Sequence, residues 1–276
     1  METRDTLAGK VAIVTGGGRG LGRAYVEGLA AAGARVAVAD MLERELKDTA
    51  AAVRAAGSEL STFALDVTQR SAVEDMVQDV ERRLGPVDLL VNNAGIARAI
   101  GPIWQIDPDD WWREVAVNLY GEFLFARTVL PSMLTRRAGR IINVASTAGK
   151  RVAGTNMSAY GLSKAAVIRL TDQLAAETAD HGIKVFAIHP GGVVTHMMDW
   201  LFTDLGRWMP AMKATVESGN VVGTEVATAL VLRLASGEAD ALSGCYIEAT
   251  SNLDELIARA PEIRERQLHV LKLETL

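Results

Sequence analysis

The sequence predicts a doubly wound α/β fold: an open, mostly parallel seven-stranded sheet with helices on both faces and a C-terminal helical extension. Three observations predict it. Short apolar runs alternate with longer stretches of helical spacing from residue 11 to residue 248. The runs are apolar throughout, as expected of strands buried on both faces and hence of a parallel sheet covered twice. A glycine-dense turn, TGGGRGLG at 15–22, falls between the first run and the first helical stretch.

The elements follow in order. VAIVT at 11–15 is the first strand, and Ala and Leu recur at helical spacing over 20–32. RVAVAD at 35–40 is the second strand, and 42–56, rich in Ala, Glu and Arg, is a helix that stops at Gly57. STFALDV at 61–67 is a strand, and 69–84 is a helix closed by Gly85-Pro86. VDLLVNNAG at 87–95 is a buried strand running into a glycine turn. A long helix fills most of 108–135, with Pro108 in its first turn, where a missing N–H is harmless. RIINVAS at 140–146 is the fifth strand, 158–181 a helix ended by Gly182, and KVFAIHPGG at 184–192 the sixth strand with its exit. A helix at 223–236 and a strand near 244–248 complete the set.

Right-handed crossovers between parallel strands place the helices on both faces. No linker, repeat or low-complexity stretch divides residues 1–276, which are expected to form one domain. Two segments stand outside the alternation. Residues 195–222 are apolar but interrupted by Gly206 and Pro210, and 252–270 read as a terminal helix in a tail, 252–276.

Composition narrows the function classes. Hydrophobic residues make up 49% of the chain, enough for a sizeable core. A net charge of −5, with no dense Lys/Arg run, argues against nucleic acid and anionic membrane surfaces as partners. The single cysteine, Cys245, can form neither an internal disulfide nor a thiolate metal cluster, and no metal site is expected. No signal core is present at the N-terminus, and no apolar run approaches the ~18 residues that span a bilayer. A soluble, cytoplasmic protein is the expectation.

Glycine loses the most conformational freedom on folding, so five in one strand-to-helix turn need a reason. Unpaired N–H groups and the positive dipole end at a helix N-terminus hold a pyrophosphate, and glycine lets the backbone approach it. Gly16, Gly20 and Gly22 stand at that place, which makes the fold Rossmann-type. A dinucleotide site also needs an acid at the end of the next strand, ~20 residues on, to bind a ribose hydroxyl. Asp40 lies 18 residues after Gly22, at the end of RVAVAD. Its carboxylate accepts from a free 2′-hydroxyl and repels a 2′-phosphate, favouring NAD over NADP. Arg19, a cation within the turn, pulls toward NADP.

Further motifs stand in order along the chain: LDV at 65–67, NNAG at 92–95, Asn118, Ser146, YGLSK at 160–164 and PGGVVT at 190–195. With the glycine turn, this ordered set resembles the short-chain dehydrogenase/reductases, in their short single-domain branch, over roughly residues 7–248. The resemblance implies that Gly16, Gly20 and Gly22, with Arg19 and Leu21 between them, form the pyrophosphate turn. It implies that Asp66 and Val67 flank the adenine, and that Asn93, Ala94 and Gly95 line the cofactor cleft. Pro190, Gly191, Val193 and Thr195 match the segment that meets the nicotinamide carboxamide. Asn118, Ser146, Tyr160 and Lys164 match a catalytic tetrad in which Tyr160 and Lys164 also touch the cofactor and Asn118 holds a water that relays protons to Lys164.

The chemistry supports those roles on its own terms. Interconverting an alcohol and a ketone needs a group that takes or returns the hydroxyl proton. A free phenol, with a pKa of about 10, is a poor base at neutral pH, and a nearby cation favours the phenolate. Lys164 follows Tyr160 at i+4, one turn along the same helical face. Ser146, at the end of the fifth strand, can hold the carbonyl oxygen by a hydrogen bond. Among the histidines, His189 reads as packing at a strand exit and His181 as a helix C-terminal cation, while Cys245 reads as a small buried residue.

Segment 195–222 is expected to cover the active site, with Met197, Met198 and Trp200 as adaptable apolar walls and Trp104 adding another. A hydrophobic secondary alcohol or ketone, aromatic, alicyclic or terpenoid in scale, would fit; the same residues could instead form a subunit interface. The resemblance further implies a homotetramer built through the helices near 108–135 and 158–181. YIEATSNLDELIARA replaces the glycine-rich turn usual after the last strand, and the terminal helix either packs on a neighbouring subunit or covers a pocket. The expectation is therefore an NAD-dependent oxidoreductase. Its alternatives are an NADPH-linked carbonyl reductase and a non-catalytic NAD-binding regulator, which typically lacks the Tyr or Lys present here.

Overall fold

Each of the seven apolar runs becomes a strand in the computed structural model: β1 Val11–Thr15, β2 Arg35–Asp40, β3 Leu60–Ala64, β4 Leu89–Asn92, β5 Gly139–Val144, β6 Ile183–His189 and β7 Tyr246–Glu248. The structure describes residues 6–152, 154–219 and 221–272. Residues 1–5 and 153 of the expected domain, position 220 of segment 195–222 and the tail end, 273–276, lie outside them. The strands form one sheet in the order β3-β2-β1-β4-β5-β6-β7, and every pair is parallel.

Helices α1 Gly20–Ala31, α2 Glu43–Ala55, α3 Arg70–Leu84, α4 Pro108–Val115, α5 Gly121–Arg136, α6 Thr147–Lys150, α7 Ser158–Thr178, α8 Pro210–Glu217, α9 Thr224–Ser236, α10 Leu253–Ala258 and α11 Ala260–Glu265 join them. Alternation of side chains along each strand divides the core in two. Ala12, Val14, Val36, Val38, Ile142 and Phe186 pack on one face with α1, α2 and α9. Val11, Ile13, Ala37, Leu90, Ile141 and Val185 pack on the other with α3, α5 and α7. Burying each such branched aliphatic contributes about 1.5–3 kcal/mol, so the continuous apolar runs are what hold the sheet between its layers.

The strand order reverses direction between β1 and β4, and ligands of such sheets sit in the crevice outside the strand ends at that point. The turns leaving these two strands are the glycine turn and NNAG.

Three elements differ from expectation. The helix over 108–135 is continuous but carries a π-helical turn, Ala116–Tyr120, between α4 and α5. The terminal helix is two short helices, α10 and α11, meeting at Arg259, because Pro261 lacks the N–H that a continuous helix would use. They pack on the chain's own body, Leu253, Ala260 and Ile263 lying in the α1/α9 core. Beyond them, the Tyr246 N–H donates to the His269 carbonyl at 2.8 Å, so the tail reaches the β7 edge. Segment 195–222 holds two 3₁₀ stretches, His196–Phe202 and Asp204–Trp208, followed by α8. Its interruptions have structural causes: a Cβ on Gly206 would lie 1.9 Å from the Leu201 carbonyl oxygen, and Pro210 takes the first position of α8.

Candidate active site

The glycine turn is a cradle closed to larger residues. A Cβ on Gly22 would lie 2.0 Å from the Gly16 carbonyl oxygen, so the start of α1 packs directly on the turn. Gly16 and Gly20 adopt positive φ, 65° and 56°. A Cβ on Gly16 would meet the Ala94 backbone at 2.8 Å, and one on Gly20 would meet Thr195 at 3.3 Å. The structure thus gathers the glycine turn, Ala94 and Thr195 around one crevice. Asn93 ties two walls together: its amide donates to the carbonyls of Thr15 and Gly16, both at 3.0 Å, while the Asn93 and Ala94 N–H groups donate to Thr15 Oγ1.

Arg19 is half-buried at the N-cap of α1, and Leu21 packs partly against the core. Pro190 and Val193 are buried, with Gly191 between them at a φ of 92°.

Asp40 stands at the mouth of the turn. Its carboxylate accepts from the Gly18 N–H at 2.9 Å and from the Leu42 N–H at 3.1 Å. Asp66 accepts from the Thr68 N–H and hydroxyl and from Arg113 Nη2 at 2.8 Å. Partial burial opposes its ionisation, but the Thr68 and Arg113 bonds prevail and hold it below the usual carboxylate range. Val67 is buried against Gly121 of α5.

Across the crevice, one line of the α4–π–α5 helix carries Glu114, Asn118 and Glu122, spaced i, i+4, i+8, each at most 2% exposed. Asn118 lies in the π turn, a distortion that recurs at functional sites. Its side chain accepts from the Ile96 N–H at 2.8 Å and donates to the Ile96 carbonyl at 2.9 Å, clamping the loop after NNAG. Glu114 accepts from the N–H groups of Arg98 and Ala99 and holds the same loop one turn earlier. Burial pushes its carboxyl above the ordinary range despite these bonds.

Ser146 follows β5 and caps α6, its hydroxyl accepting from the Ala148 N–H. The α6 turn sits against α7 at closest approach: a Cβ on Gly149 would lie 2.3 Å from the Lys164 carbonyl carbon. Tyr160 and Lys164 fall in the first two turns of α7, Tyr160 half-buried and Lys164 only 3% exposed. Lys164 Nζ donates to the Val144 carbonyl at 2.6 Å and pairs with Glu122 Oε1 at 3.3 Å. Asn118 Nδ2 donates to Ser163 Oγ of α7 at 3.2 Å and Lys164 reaches Val144 at the end of β5, so the π turn, α7 and β5 meet here.

The apolar segment splits. Trp200, Leu201 and Met209 bury themselves with Ile100 and Met157, and Tyr160 and Met198 pack against this cluster. Met197 reaches over NNAG, its Cε 3.7 Å from where a Gly95 Cβ would stand. Trp104, expected as a wall, is 80% exposed and lies outside that cluster. Glu114 and Glu122 were not among the sequence candidates. The sequence carries only their spacing, two acids flanking Asn118 one helical turn to either side; their burial comes from packing.

Among the described residues no helix is long and apolar enough to cross a membrane, and no cluster of His, Cys, Asp or Glu could hold a metal ion. The family model for short chain dehydrogenase matches residues 10–206. A short chain dehydrogenase of Pseudocercospora fijiensis is 41% identical over 69% of this chain and 62% of its own, so this chain spans under two thirds of that relative. Sorbitol dehydrogenase of Cereibacter sphaeroides is 36% identical over 90% of this chain and 97% of its own. Trans-4-hydroxycyclohexanecarboxylate dehydrogenase of Sinomonas cyclohexanicum is 35% identical over 88% and 92%. Among solved structures, NAD+-bound xylitol dehydrogenase superposes with a TM-score of 0.81 at 33% identity, over 88% of this chain and 98% of its own. A gluconate 5-dehydrogenase from Burkholderia cenocepacia, in complex with NADP and tartrate, gives 0.80 at 30% identity, over 92% and 98%.

Proposed function

The chain belongs to the short-chain dehydrogenase family, and on that premise we propose that it interconverts a hydrophobic secondary alcohol and its ketone with NAD, Tyr160 serving as general acid and base. One observation carries this reading. Tyr160 and Lys164 on α7, and Ser146 on the α6 turn packed against them, stand at the same sheet edge as the glycine cradle.

The cradle fits a dinucleotide because its backbone is bare where any Cβ would intrude. Gly16, Gly20 and Gly22 would seat the pyrophosphate, Asp40 the adenosine ribose, Asp66 and Val67 the adenine, and Asn93 to Gly95 with Pro190, Gly191, Val193 and Thr195 the nicotinamide half. When bound, the cofactor supplies a hydride acceptor or donor. Ser146 holds the substrate oxygen by a hydrogen bond. Tyr160 takes the hydroxyl proton during oxidation and returns it during reduction. Lys164, one helical turn away, favours the phenolate by its positive charge, and Asn118 keeps the loop beside them in place.

Asp40 supports NAD, since its carboxylate stands at the glycine turn with both oxygens already bonded to backbone N–H groups. Met197 over NNAG and the partly buried Met198 beside Tyr160 support an apolar substrate. Exposed Tyr120 and Phe123, stacked with centroids 6.1 Å apart beside α5, support assembly into a homotetramer through that helix. Cys245 is a buried free thiol whose pKa burial pushes up to about 11, which leaves it unreactive, and a cytoplasmic location is part of the proposal.

The test is a panel of secondary alcohols of rising size, each with NAD and with NADP, followed by the absorbance of the reduced nicotinamide. Bulky apolar alcohols are expected to outrun polyols, and NAD to outrun NADP. A preference for small polar sugars would overturn the substrate assignment.

A further inference from the structure

Lys164 does not stand alone in its pocket. Its ammonium pairs with Glu122, and the two side chains are 3% and 2% exposed, so the pair is screened from water. Glu122 Oε1 lies 3.3 Å from Nζ, and Oε2, also buried, has no hydrogen-bond partner among the described residues. One oxygen therefore has only Lys164, and the other has nothing, which is a costly environment for a carboxylate. The arrangement is built rather than incidental. Glu122 belongs to the helix line that also presents Asn118 and Glu114, and its own backbone carbonyl accepts from the Asn92 amide.

Other groups around it are neutral or engaged elsewhere. β4 and β5 present the amides of Asn92 and Asn143 and the Val144 carbonyl. From α7 come Lys164 and, one turn earlier, Tyr160; on its own helix, two turns back, Glu114 is bound to the Arg98 and Ala99 N–H groups. On the outer side, Arg127 of α5 pairs with Glu74 of α3 at the surface. Lys164 is thus the charge that acts on Glu122.

We propose that Glu122 is a positioning residue for the reaction: it anchors the Lys164 ammonium and withdraws part of that charge from Tyr160, so that it helps to set the pH dependence of turnover. The inference rests on the dehydrogenase reading above. A positive charge beside a phenol favours phenolate, and a carboxylate on the far side of that charge opposes the effect. Burial pushes the Glu122 carboxyl up to about 7, with Lys164 pulling it back.

The direct test is Glu122→Gln, which keeps shape and removes charge. In alcohol oxidation, the pH at half-maximal kcat/KM is expected to fall by about half a unit or more, because the phenolate loses its opposing charge. Glu122→Asp retains the charge and is expected to keep the original profile. Superimposable profiles for wild type and Glu122→Gln, or equal shifts in Gln and Asp, would overturn the proposal. Should Glu122→Gln fail to fold, Glu122→Thr, neutral and smaller, gives the same reading.

A second readout needs no turnover: thermal unfolding of the cofactor-free chain against pH. A carboxyl whose folded pKa is raised lends stability at low pH that is lost as pH rises from its unfolded value, about 4.3, through about 7. The Tm difference between wild type and Glu122→Gln is expected to change across that window, and a flat difference would contradict the proposal. Tyr160→Phe separates the two claims. If it keeps full turnover, the dehydrogenase reading fails and this inference with it; if it loses turnover while Glu122→Gln leaves the profile unmoved, only this inference fails.

Discussion

Asp40 shows how much a single residue decides. Its carboxylate is fixed by the Gly18 and Leu42 N–H groups, so its charge stands at the turn without rearrangement. Asp40→Ala is expected to lower kcat/KM with NAD by about tenfold, the equivalent of ~1.4 kcal/mol, and to raise the NADP-to-NAD ratio by at least as much. Steady-state kinetics with both cofactors checks it, and an unchanged ratio would move cofactor choice to another residue. Asp40, Asn93, Tyr160 and Lys164 were named from the sequence by motif and spacing, and Asn118 and Ser146 by the resemblance. Glu114 and Glu122 were not, because an acid on a helix ordinarily faces water. Only the packing of that helix line against α7 and the loop after NNAG buries them. Trp104 was read as a wall on chemistry alone, and nothing in its local sequence told that it would be 80% exposed.

Whole elements were legible to the extent that their residues dictate conformation locally. The central strands announce themselves by apolar runs, and Asp107 with Pro108 starts α4 by capping the Asp109 N–H. What local pattern could not supply was tertiary. The π turn at Ala116–Tyr120 lies in an ordinary helical sequence, and the turn fits where Asn118 must reach Ile96. The break at Arg259 followed from Pro261, which the reading of one terminal helix passed over. The helix through Tyr120 and Phe123 also leaves two large rings 44% and 42% exposed beside each other. If that face builds the proposed tetramer, sedimentation is expected to give four chains per particle, and Tyr120→Glu with Phe123→Glu a smaller species. A monomeric wild type would contradict the assembly.

At the scale of the molecule, the order β3-β2-β1-β4-β5-β6-β7 does the placing. It sets β1 beside β4, so two glycine turns from distant parts of the sequence face each other, and it brings β5 alongside so that Ser146 and the α7 residues arrive at the same edge. Strand number, parallel sense and the two-layer core follow from apolar patterning, whereas the closing of the cradle by Thr195 depends on how the chain returns after β6. Tyr160 is proposed to exchange the substrate proton at this end of the sheet. The most direct measurement compares wild type and Tyr160→Phe for NADH binding by fluorescence and for oxidation of the best alcohol in the panel. Binding is expected to stay within about twofold and turnover to fall by ~10²-fold or more. Wild-type turnover in Tyr160→Phe would contradict it.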